Sequence, residues 1–298
     1  MGKSVAAVVV TYNRKELLKE NIDSLLAQEP EIPSIIIIDN HSTDGTKDYI
    51  QEYILSGKIK YCDTGSNLGG AGGFSYGIKY AAEQGYDYIW VMDDDCMPTT
   101  TALSELILAD NELDGKYGFL SSKVLWTDGS LCAMNLQRET LTRTIDKFSG
   151  GIKPVVMASF VSLFLPINIV KEMGLPIKDF FIWTDDWEYT RRISREYICY
   201  AVPNSIVIHK SKSNMGANIV TESSERLDRF DYLYRNDVYL YRREGIKGFC
   251  YEVARLMWHC VRVLLKSKDN KRKRLWKIVS GTIKGFRFHP KVEYVRND

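Results

Sequence analysis

The feature that most constrains this fold is an alternation of buried strands and helical segments that starts near residue 5. Residues 5–10 are apolar and mostly β-branched, which is typical of a parallel strand buried on both faces. A helix-like segment then extends to Ala27, and residues 34–38 form a second apolar run. Strands that alternate with helices predict an α/β fold whose central sheet is mostly parallel and flanked by helices.

The alternation continues to residue 92 and then changes. The next predicted helices and strands are residues 44–54, 58–62, 72–84 and 88–92. From about Gly118 the pattern is irregular, with short strands near residues 119–125 and 155–166. Beyond about Glu222 helical patterns predominate, over residues 226–243, 248–265 and 271–285. We therefore predict a main domain over residues 1–221, with halves at about 1–117 and 118–221, and a C-terminal helical region over residues 222–298.

Composition excludes several classes of protein. The 298 residues, 45% hydrophobic and 26% charged, are those of an ordinary globular chain. A net charge of +2 gives no reason to expect nucleic acid as a partner. No run approaches the roughly 20 apolar residues that a membrane-spanning helix needs. Six cysteines without a CxxC pair are typical of reduced thiols, so we expect a cytoplasmic protein that is soluble or attached to a membrane surface.

Polar clusters follow three of the predicted strands at the points where the strands end. They are residues 11–14, residues 39–40 and the consecutive acids Asp93, Asp94 and Asp95. Ligands of parallel sheets bind at the carboxyl ends of the strands. We therefore expect these clusters to form one pocket of about the size of a nucleotide.

The three consecutive aspartates suggest a cation. Adjacent carboxylates repel each other strongly unless a positive charge lies among them. Mg²⁺ or Mn²⁺ binds carboxylate oxygens and completes its coordination with phosphate oxygens and water, which suits a nucleotide diphosphate. A solvated acidic turn or a helix N-cap is the alternative for these residues.

A glycine-rich segment lies between two of the predicted elements. Asn67 and Leu68 precede Gly69, Gly70, Gly72 and Gly73 at the start of a predicted helix, where bare backbone can approach a ligand. Glycine-rich turns are common, so this segment alone is weak evidence. It does not follow a clean first strand, so it is not a dinucleotide-binding motif.

A third cluster mixes acids with aromatic residues. Residues 180–189 place Asp185, Asp186 and Glu188 among large aromatic side chains, including Trp183. Such surroundings raise the pKa of a carboxylate and suit a sugar ring, so one of the acids could act as a general base. Helix capping is an equal alternative for Asp185 or Asp186. His209 ends another apolar run, where a lone histidine is more often structural than a metal ligand.

Together these motifs resemble the family 2 inverting glycosyltransferases of the GT-A fold, a Rossmann-like architecture. The residues that carry the resemblance are 8–14, 38–46 and 92–95. Within that family, residues 67–74 and 183–189 and His209 are similar to the bacterial galactofuranosyltransferases. The resemblance covers about the first two-thirds of the chain.

The resemblance implies a role for each motif. Asp93 and Asp95 would bind the metal, with His209 as a further ligand. Asp94 would support the loop or contact the donor sugar. The residues around the uridine and diphosphate would be Thr11, Asn13, Arg14, Asp39, Asn67, Gly69 and Gly70. Asp186 would be the base, and Trp183, Asp185 and Glu188 would line the acceptor pocket. The donor would be UDP-galactofuranose, and a single displacement would invert the anomeric configuration.

The C-terminal region combines basic residues with an apolar pattern. Residues 266–277 carry seven lysine or arginine residues against Asp269 alone. A helix with basic and aromatic residues suits an anionic membrane surface, and a lipid-linked saccharide acceptor would favour that reading. Packing against the catalytic domain, or against a second copy in a homo-oligomer, explains the pattern equally well. The predicted location is the cytoplasmic face of the cell membrane, in surface polysaccharide assembly.

Other functions are compatible with the same motifs. The same fold and mechanism could serve dTDP-rhamnose, UDP-glucose or UDP-galactopyranose. A sugar nucleotidyltransferase also places metal-binding aspartates at strand ends, but it usually needs a basic, glycine-rich triphosphate loop near the N-terminus. A non-catalytic carbohydrate-binding protein would not need Asp93, Asp95, Asp186 and His209 together.

Overall fold

The computed structural model describes residues 3–295 as an α/β structure built on one nine-stranded sheet. The strands are β1 (Val5–Thr11), β2 (Ser34–Asp39), β3 (Ile59–Asp63), β4 (Tyr88–Asp93), β5 (Cys96–Pro98), β6 (Leu120–Trp126), β7 (Lys153–Val155), β8 (Leu163–Pro166) and β9 (Cys199–His209). Their order is β3-β2-β1-β4-β8-β6-β9-β5, with β7 paired to β9. The ends of both predicted domains, residues 1–2 and 296–298, lie outside the described residues.

The first half of the sheet is parallel, as predicted. Strand β1 pairs in parallel with β2 and β4, and β2 pairs in parallel with β3. All seven residues of β1 are buried, which explains why its sequence shows no polar alternation. The α/β fold with flanking helices is therefore confirmed.

The second half of the sheet is mixed, so the prediction of a mostly parallel sheet holds only for the first four strands. Strand β8 is antiparallel to both β4 and β6, and β9 is parallel to β6 but antiparallel to β5 and β7. A strand buried on both faces is apolar whichever way it runs, and periodicity therefore does not reveal its direction.

Ten α-helices flank the sheet or follow it in the described part of the chain. They are α1 (Lys15–Leu26), α2 (Thr46–Tyr49), α3 (Gln51–Leu55), α4 (Gly69–Glu83), α5 (Ala102–Glu112), α6 (Ile167–Met173), α7 (Asp185–Ser194), α8 (Phe230–Arg242), α9 (Gly245–Lys266) and α10 (Lys271–Arg287). The helix predicted over 44–54 is broken at Ile50, and the strand predicted over 155–166 is only β8 with the end of β7. Helices α5 and α6 were not predicted from sequence.

The core has a layer on each face of the sheet. Alternate residues of β1 point to opposite layers, with Ala6 and Val8 on one side and Ala7 and Val9 on the other. Helix α4 packs closely on β1, since a Cβ added at Gly77 would lie 2.6 Å from Val8 Cγ1. This close packing fixes the start of α4 beside the ends of β1 and β2.

Helices α8, α9 and α10 pack on one another beyond the sheet. Within residues 3–295, no helix is long and apolar enough to cross a membrane. All six cysteines are free thiols, as expected.

Candidate active site

The predicted polar clusters meet at one edge of the sheet. Thr11 lies opposite Asp39 in the β1–β2 pairing, and Val10 lies opposite Asp93 in the β1–β4 pairing. The three strands therefore end at the same level, as parallel strands with short loops do. Val10 and Asn40 also flank Gly73, which brings the glycine-rich start of α4 to the same edge.

Two residues after β1 contact the acidic cluster. Thr11 Oγ1 donates a hydrogen bond of 2.7 Å to Asp94 Oδ2. Arg14 Nη1 lies 3.2 Å from Asp94 Oδ1 and 2.7 Å from Asp95 Oδ2. The guanidinium is half exposed, so it can also reach a phosphate group from the open side.

His209 reaches the cluster through strand pairing. Cys96, the first residue of β5, lies opposite His209, the last residue of β9. This register brings His209 Nε2 to 3.1 Å from Asp95 Oδ1. On the other side of the ring, Nδ1 donates a hydrogen bond of 2.8 Å to Asn135 Oδ1. Asn135 therefore fixes the ring with Nε2 directed at Asp95. Burial opposes a charge on the ring, but the hydrogen bond and charge of Asp95 raise the pKa of His209 to about 10, so Nε2 carries a proton that an ion must displace.

The carboxyl groups of the cluster have strongly shifted pKa values. Burial, with the charge of Asp95, raises the pKa of Asp93 to about 7. Burial also raises the pKa of Asp94 to about 6, although Arg14 and Thr11 oppose the rise. Burial acts to raise the pKa of Asp95 as well, but His209 and Arg14 outweigh it and the pKa is lowered. Asp95 is thus the most strongly ionised member of the cluster.

The donor atoms at Asp95 and His209 fit a hard divalent ion. Neighbouring ligand atoms of an octahedral Mg²⁺ or Mn²⁺ ion, each about 2.1 Å from the ion, are separated by about 3 Å. Asp95 Oδ1 and His209 Nε2 are 3.1 Å apart. Within residues 3–295, only Asp95, Cys96 and His209 bring three ligand atoms within 4.8 Å of one another. Burial holds the pKa of the Cys96 thiol well above its usual range, so Cys96 is a poor ligand for such an ion. Asp93, which we expected to bind the metal, is not part of this group.

Asn13 and Asp39 shape the pocket from within. Asn13 has a left-handed backbone (φ 55°), and its Oδ1 accepts a hydrogen bond from the Thr43 amide. Asp39 is 1% exposed, and its carboxylate accepts hydrogen bonds from the Ser42 amide and the Tyr61 hydroxyl. This geometry supports a role for Asp39 in fixing the turn after β2 more than a direct contact with the donor.

The glycine-rich segment is held by its own contacts. Asn67 Oδ1 accepts a hydrogen bond from the Gly69 amide, and the Ala71 amide donates to the Phe181 carbonyl. Gly69 has a left-handed backbone (φ 72°), and a Cβ there would overlap that same carbonyl. Gly70, in contrast, faces open space. Of these two glycines, Gly70 is thus the one where a ligand can approach the backbone from the Cβ side.

The acids of residues 185–188 lie in the first turn of α7 and differ in their surroundings. Thr184 occupies the N-cap position, so neither Asp185 nor Asp186 is the capping residue. Burial, followed by the charge of Asp185, raises the pKa of Asp186 well above its ordinary value, and Asp93 adds to the rise. Asp186 Oδ1 accepts a hydrogen bond from the Trp187 amide.

Glu188 has a different environment from the one we expected. Its side chain is 3% exposed and forms an ion pair of 3.1 Å with Arg192, one turn along α7. Arg192 also donates to the backbone carbonyls of Met173 and Leu175. This internal network fits a structural role and not the acceptor contact that sequence suggested.

The segment before α7, which we call the 180–184 loop, is strained and is held by α8. Phe181, Trp183 and Thr184 all have left-handed backbones, with φ between 63° and 68°. The buried amide of Asn236 donates hydrogen bonds of 2.9–3.1 Å to the carbonyls of Phe180, Ile182 and Trp183. The same loop supplies the carbonyl that binds Ala71, so it joins the glycine-rich segment to Asp186.

A second contact from α8 holds the start of α7. Thr184 Oγ1 donates a hydrogen bond of 2.6 Å to Asp237 Oδ1, and Arg255 of α9 pairs with Asp237 at 2.6 Å. Trp183 packs against Phe230, with ring centroids 5.3 Å apart. The roles of Asn135, Asn236 and Asp237 were not predictable from sequence, because no local pattern marks a residue whose partner is more than 50 positions away.

Comparison with known proteins agrees with this geometry. Residues 6–115 match the model of the glycosyl transferase family 2. The chain is 25% identical over 257 residues to galactofuranosyltransferase GlfT1 of Mycolicibacterium smegmatis, covering 82% of this chain and 84% of that protein.

Two solved structures have similar folds. S. aureus TarS covers 96% of this chain at 14% identity and a TM-score of 0.55, and this chain spans 44% of its length. The mannosyltransferase PcManGT of Pyrobaculum calidifontis has been solved with GDP-Man and Mn²⁺. It covers 94% of this chain at 13% identity and a TM-score of 0.57, and this chain spans 74% of its length. Residues 6–115 therefore form a family 2 glycosyltransferase domain, and the chain has the GT-A fold.

Proposed function

We propose that this chain is an inverting, metal-dependent glycosyltransferase that transfers galactofuranose from UDP-galactofuranose to a hydroxyl of a lipid-linked saccharide. Such a reaction would serve bacterial surface polysaccharide synthesis at the inner face of the cell membrane. The similarity to GlfT1 supports the donor sugar, and TarS, a protein of similar fold, has been solved with UDP-GlcNAc. The observation that carries the proposal is the meeting of Arg14, Asp95 and His209 at the carboxyl edge of the sheet, and the burial that raises the pKa of Asp186 adds to it.

The donor half of the site is formed by the loops after β1, β2 and β4. Arg14 would bind a phosphate oxygen, because its charge is half exposed beside the acids. The open space at Gly70 lets the diphosphate approach the start of α4. Asp95 and His209 would hold Mn²⁺ or Mg²⁺, which when bound offsets the negative charge that develops on the departing UDP.

Asp186 would act on the acceptor. Its raised pKa makes it a stronger base than an ordinary carboxylate. Oδ1 accepts the Trp187 amide, and no hydrogen bond reaches Oδ2 from residues 3–295. The acceptor oxygen attacks the anomeric carbon while the bond from that carbon to the UDP oxygen breaks. The hydroxyl proton passes to Asp186, and the single displacement inverts the configuration. Trp183 and Asp185 would line the acceptor side.

The donor can be tested directly. The purified protein is incubated with Mn²⁺, a saccharide acceptor and one of four donors, UDP-galactofuranose, UDP-galactopyranose, UDP-glucose or dTDP-rhamnose, and nucleotide release is measured. We expect release above background from UDP-galactofuranose only, with the product's anomeric configuration inverted in its NMR spectrum. Turnover of another donor but not of the furanose would overturn the donor assignment and leave the mechanism in place. Retention of configuration would overturn the mechanism.

A further inference from the structure

Helices α9 and α10 each leave a stripe of large apolar side chains exposed, which together we call the α9–α10 face. On α9 the stripe includes Ile246, Phe249, Val253, Met257, Trp258 and Leu265. On α10 it consists of Trp276, Val279, Ile283 and Phe286. Spacings of three and four residues place such side chains along one side of a helix. An exposed apolar surface of this extent marks an interaction site.

The opposite sides of both helices already form the core of this region. Val263 of α9 and Ile278 of α10 are buried in a cluster with Phe230 and Tyr234. Gly281 and Gly285 bring α10 against α8, where a Cβ would lie 2.6–2.8 Å from side chains of α8. The exposed stripes are therefore not needed for folding of the chain and are available to a partner.

The charge of the same helices indicates what the partner is. From residue 245 to residue 287 the chain has twelve lysine or arginine residues and two acids, Glu252 and Asp269. Within residues 3–295, the basic residues of this stretch that form no ion pair are Lys247, Arg262, Lys266, Lys268, Lys271, Arg272 and Arg287. Apolar and aromatic side chains beside unpaired basic ones match the interface of an anionic membrane.

We infer that the α9–α10 face docks on a lipid bilayer that carries anionic headgroups. Trp258 and Trp276, 58% and 63% exposed, have the amphipathic rings that favour the depth of the headgroups. A second copy of the chain fits this face less well. A two-fold contact would set the excess positive charge of one copy against the same charge of the other.

A cleft of about 330 Å³ lies between α8, α9 and residues 214–219. Its walls include Arg262 of α9 and Phe230 of α8, and Phe230 packs on Trp183. Docking of α9 would therefore hold Trp183 near the bilayer, where the saccharide of a lipid-linked acceptor lies. This last step rests on the proposed function, whereas the docking itself does not.

The test is vesicle binding by the full chain without donor or acceptor. Co-sedimentation is measured with vesicles of phosphatidylglycerol and phosphatidylcholine, and with phosphatidylcholine alone. We expect binding to the anionic vesicles that weakens with salt. Replacement of Lys266, Lys268 and Arg272 by Glu should reduce the affinity for anionic vesicles by about 100-fold or more, because each basic residue contributes a few-fold to binding. Trp258→Gln with Leu265→Gln should reduce it by about tenfold or more.

The matched control is Leu55→Gln with Leu108→Gln, since both are exposed leucines on helices outside this face. Circular dichroism verifies that each variant is folded. The inference would be overturned if the wild type did not bind anionic vesicles. It would also be overturned if the variants of the α9–α10 face bound these vesicles as well as the control variant does. A wild-type dimer that Trp258→Gln with Leu265→Gln converts to a monomer, without vesicle binding, would identify the face as a subunit interface instead. Vesicle binding without sugar transfer would count against the proposed function alone.

Discussion

At the scale of single residues, the site depends on side chains that each contact two partners at once. Asp95 places one oxygen against Arg14 and the other against His209. His209 in turn has one ring nitrogen at Asn135 and the other at Asp95. Asn135 fixes the orientation of the ring, so the side chain of His209 is already in the conformation that directs Nε2 at the ion site.

Replacement of Asn135 by Ala should therefore weaken Mn²⁺ binding. We expect a loss of about 10- to 100-fold in affinity, because the ring loses the partner that orients it. Calorimetric titration of Mn²⁺ in the presence of UDP measures this directly. Asn214→Ala is the control, since Asn214 binds the backbone of the same loop at Ala133 but does not touch His209. Equal affinities for wild type and the Asn135 variant would show that Asn135 does not position His209 for ion binding.

At the scale of elements, helix α8 holds the 180–184 loop in a strained conformation. A single amide group, Asn236 Nδ2, donates to three carbonyls of the loop. Left-handed backbone at non-glycine residues costs energy, and the surrounding contacts must offset it. The loop in turn fixes the first turn of α7, so Asn236 acts as a positioning residue for Asp186.

Asn236→Asp tests this role, because it replaces the donating group by an oxygen that faces three carbonyl oxygens. The free energy of unfolding should fall by about 2–3 kcal/mol, measured by urea denaturation. At a temperature where the variant is fully folded, kcat should still fall by about tenfold or more, because the base is displaced. Asn111→Asp, at an exposed position where a carboxylate can still accept from Lys3, should change neither. A variant that is less stable but has wild-type kcat would mean that Asn236 has only a structural role.

The elements also show how far sequence can predict this structure. The strands β1 to β4 and the three C-terminal helices were predicted nearly at their observed bounds, because their apolar patterns are long and regular. The pairing of β9 with β5, which brings His209 to Asp95, was not predictable. Strand pairing depends on contacts 113 residues apart (209 minus 96), and no local pattern encodes them.

At the scale of the whole molecule, the site is shared between the sheet and the C-terminal helices. The predicted boundary near residue 221 lies between β9 and α8. Asn236 and Asp237 lie beyond it and contact the loop before α7. The division into two domains remains a proposal. We expect the C-terminal helices to be required for transfer as well as for membrane docking, since they hold the loop that positions Asp186.

The most direct test of the account is the effect of Asp186→Asn on transfer and on donor binding, measured separately. We expect kcat for galactofuranose transfer to fall by about 100-fold or more, because the general base is lost. The affinity for UDP with Mn²⁺, measured by calorimetry, should stay within about twofold of the wild type, which corresponds to well under 1.4 kcal/mol. The reason is that Asp186 is proposed to act on the acceptor and not on UDP. Asp179→Asn, an exposed acid in the same segment, is the matched control. Wild-type turnover by the Asp186 variant would contradict the mechanism, and loss of UDP binding would move Asp186 to the donor site.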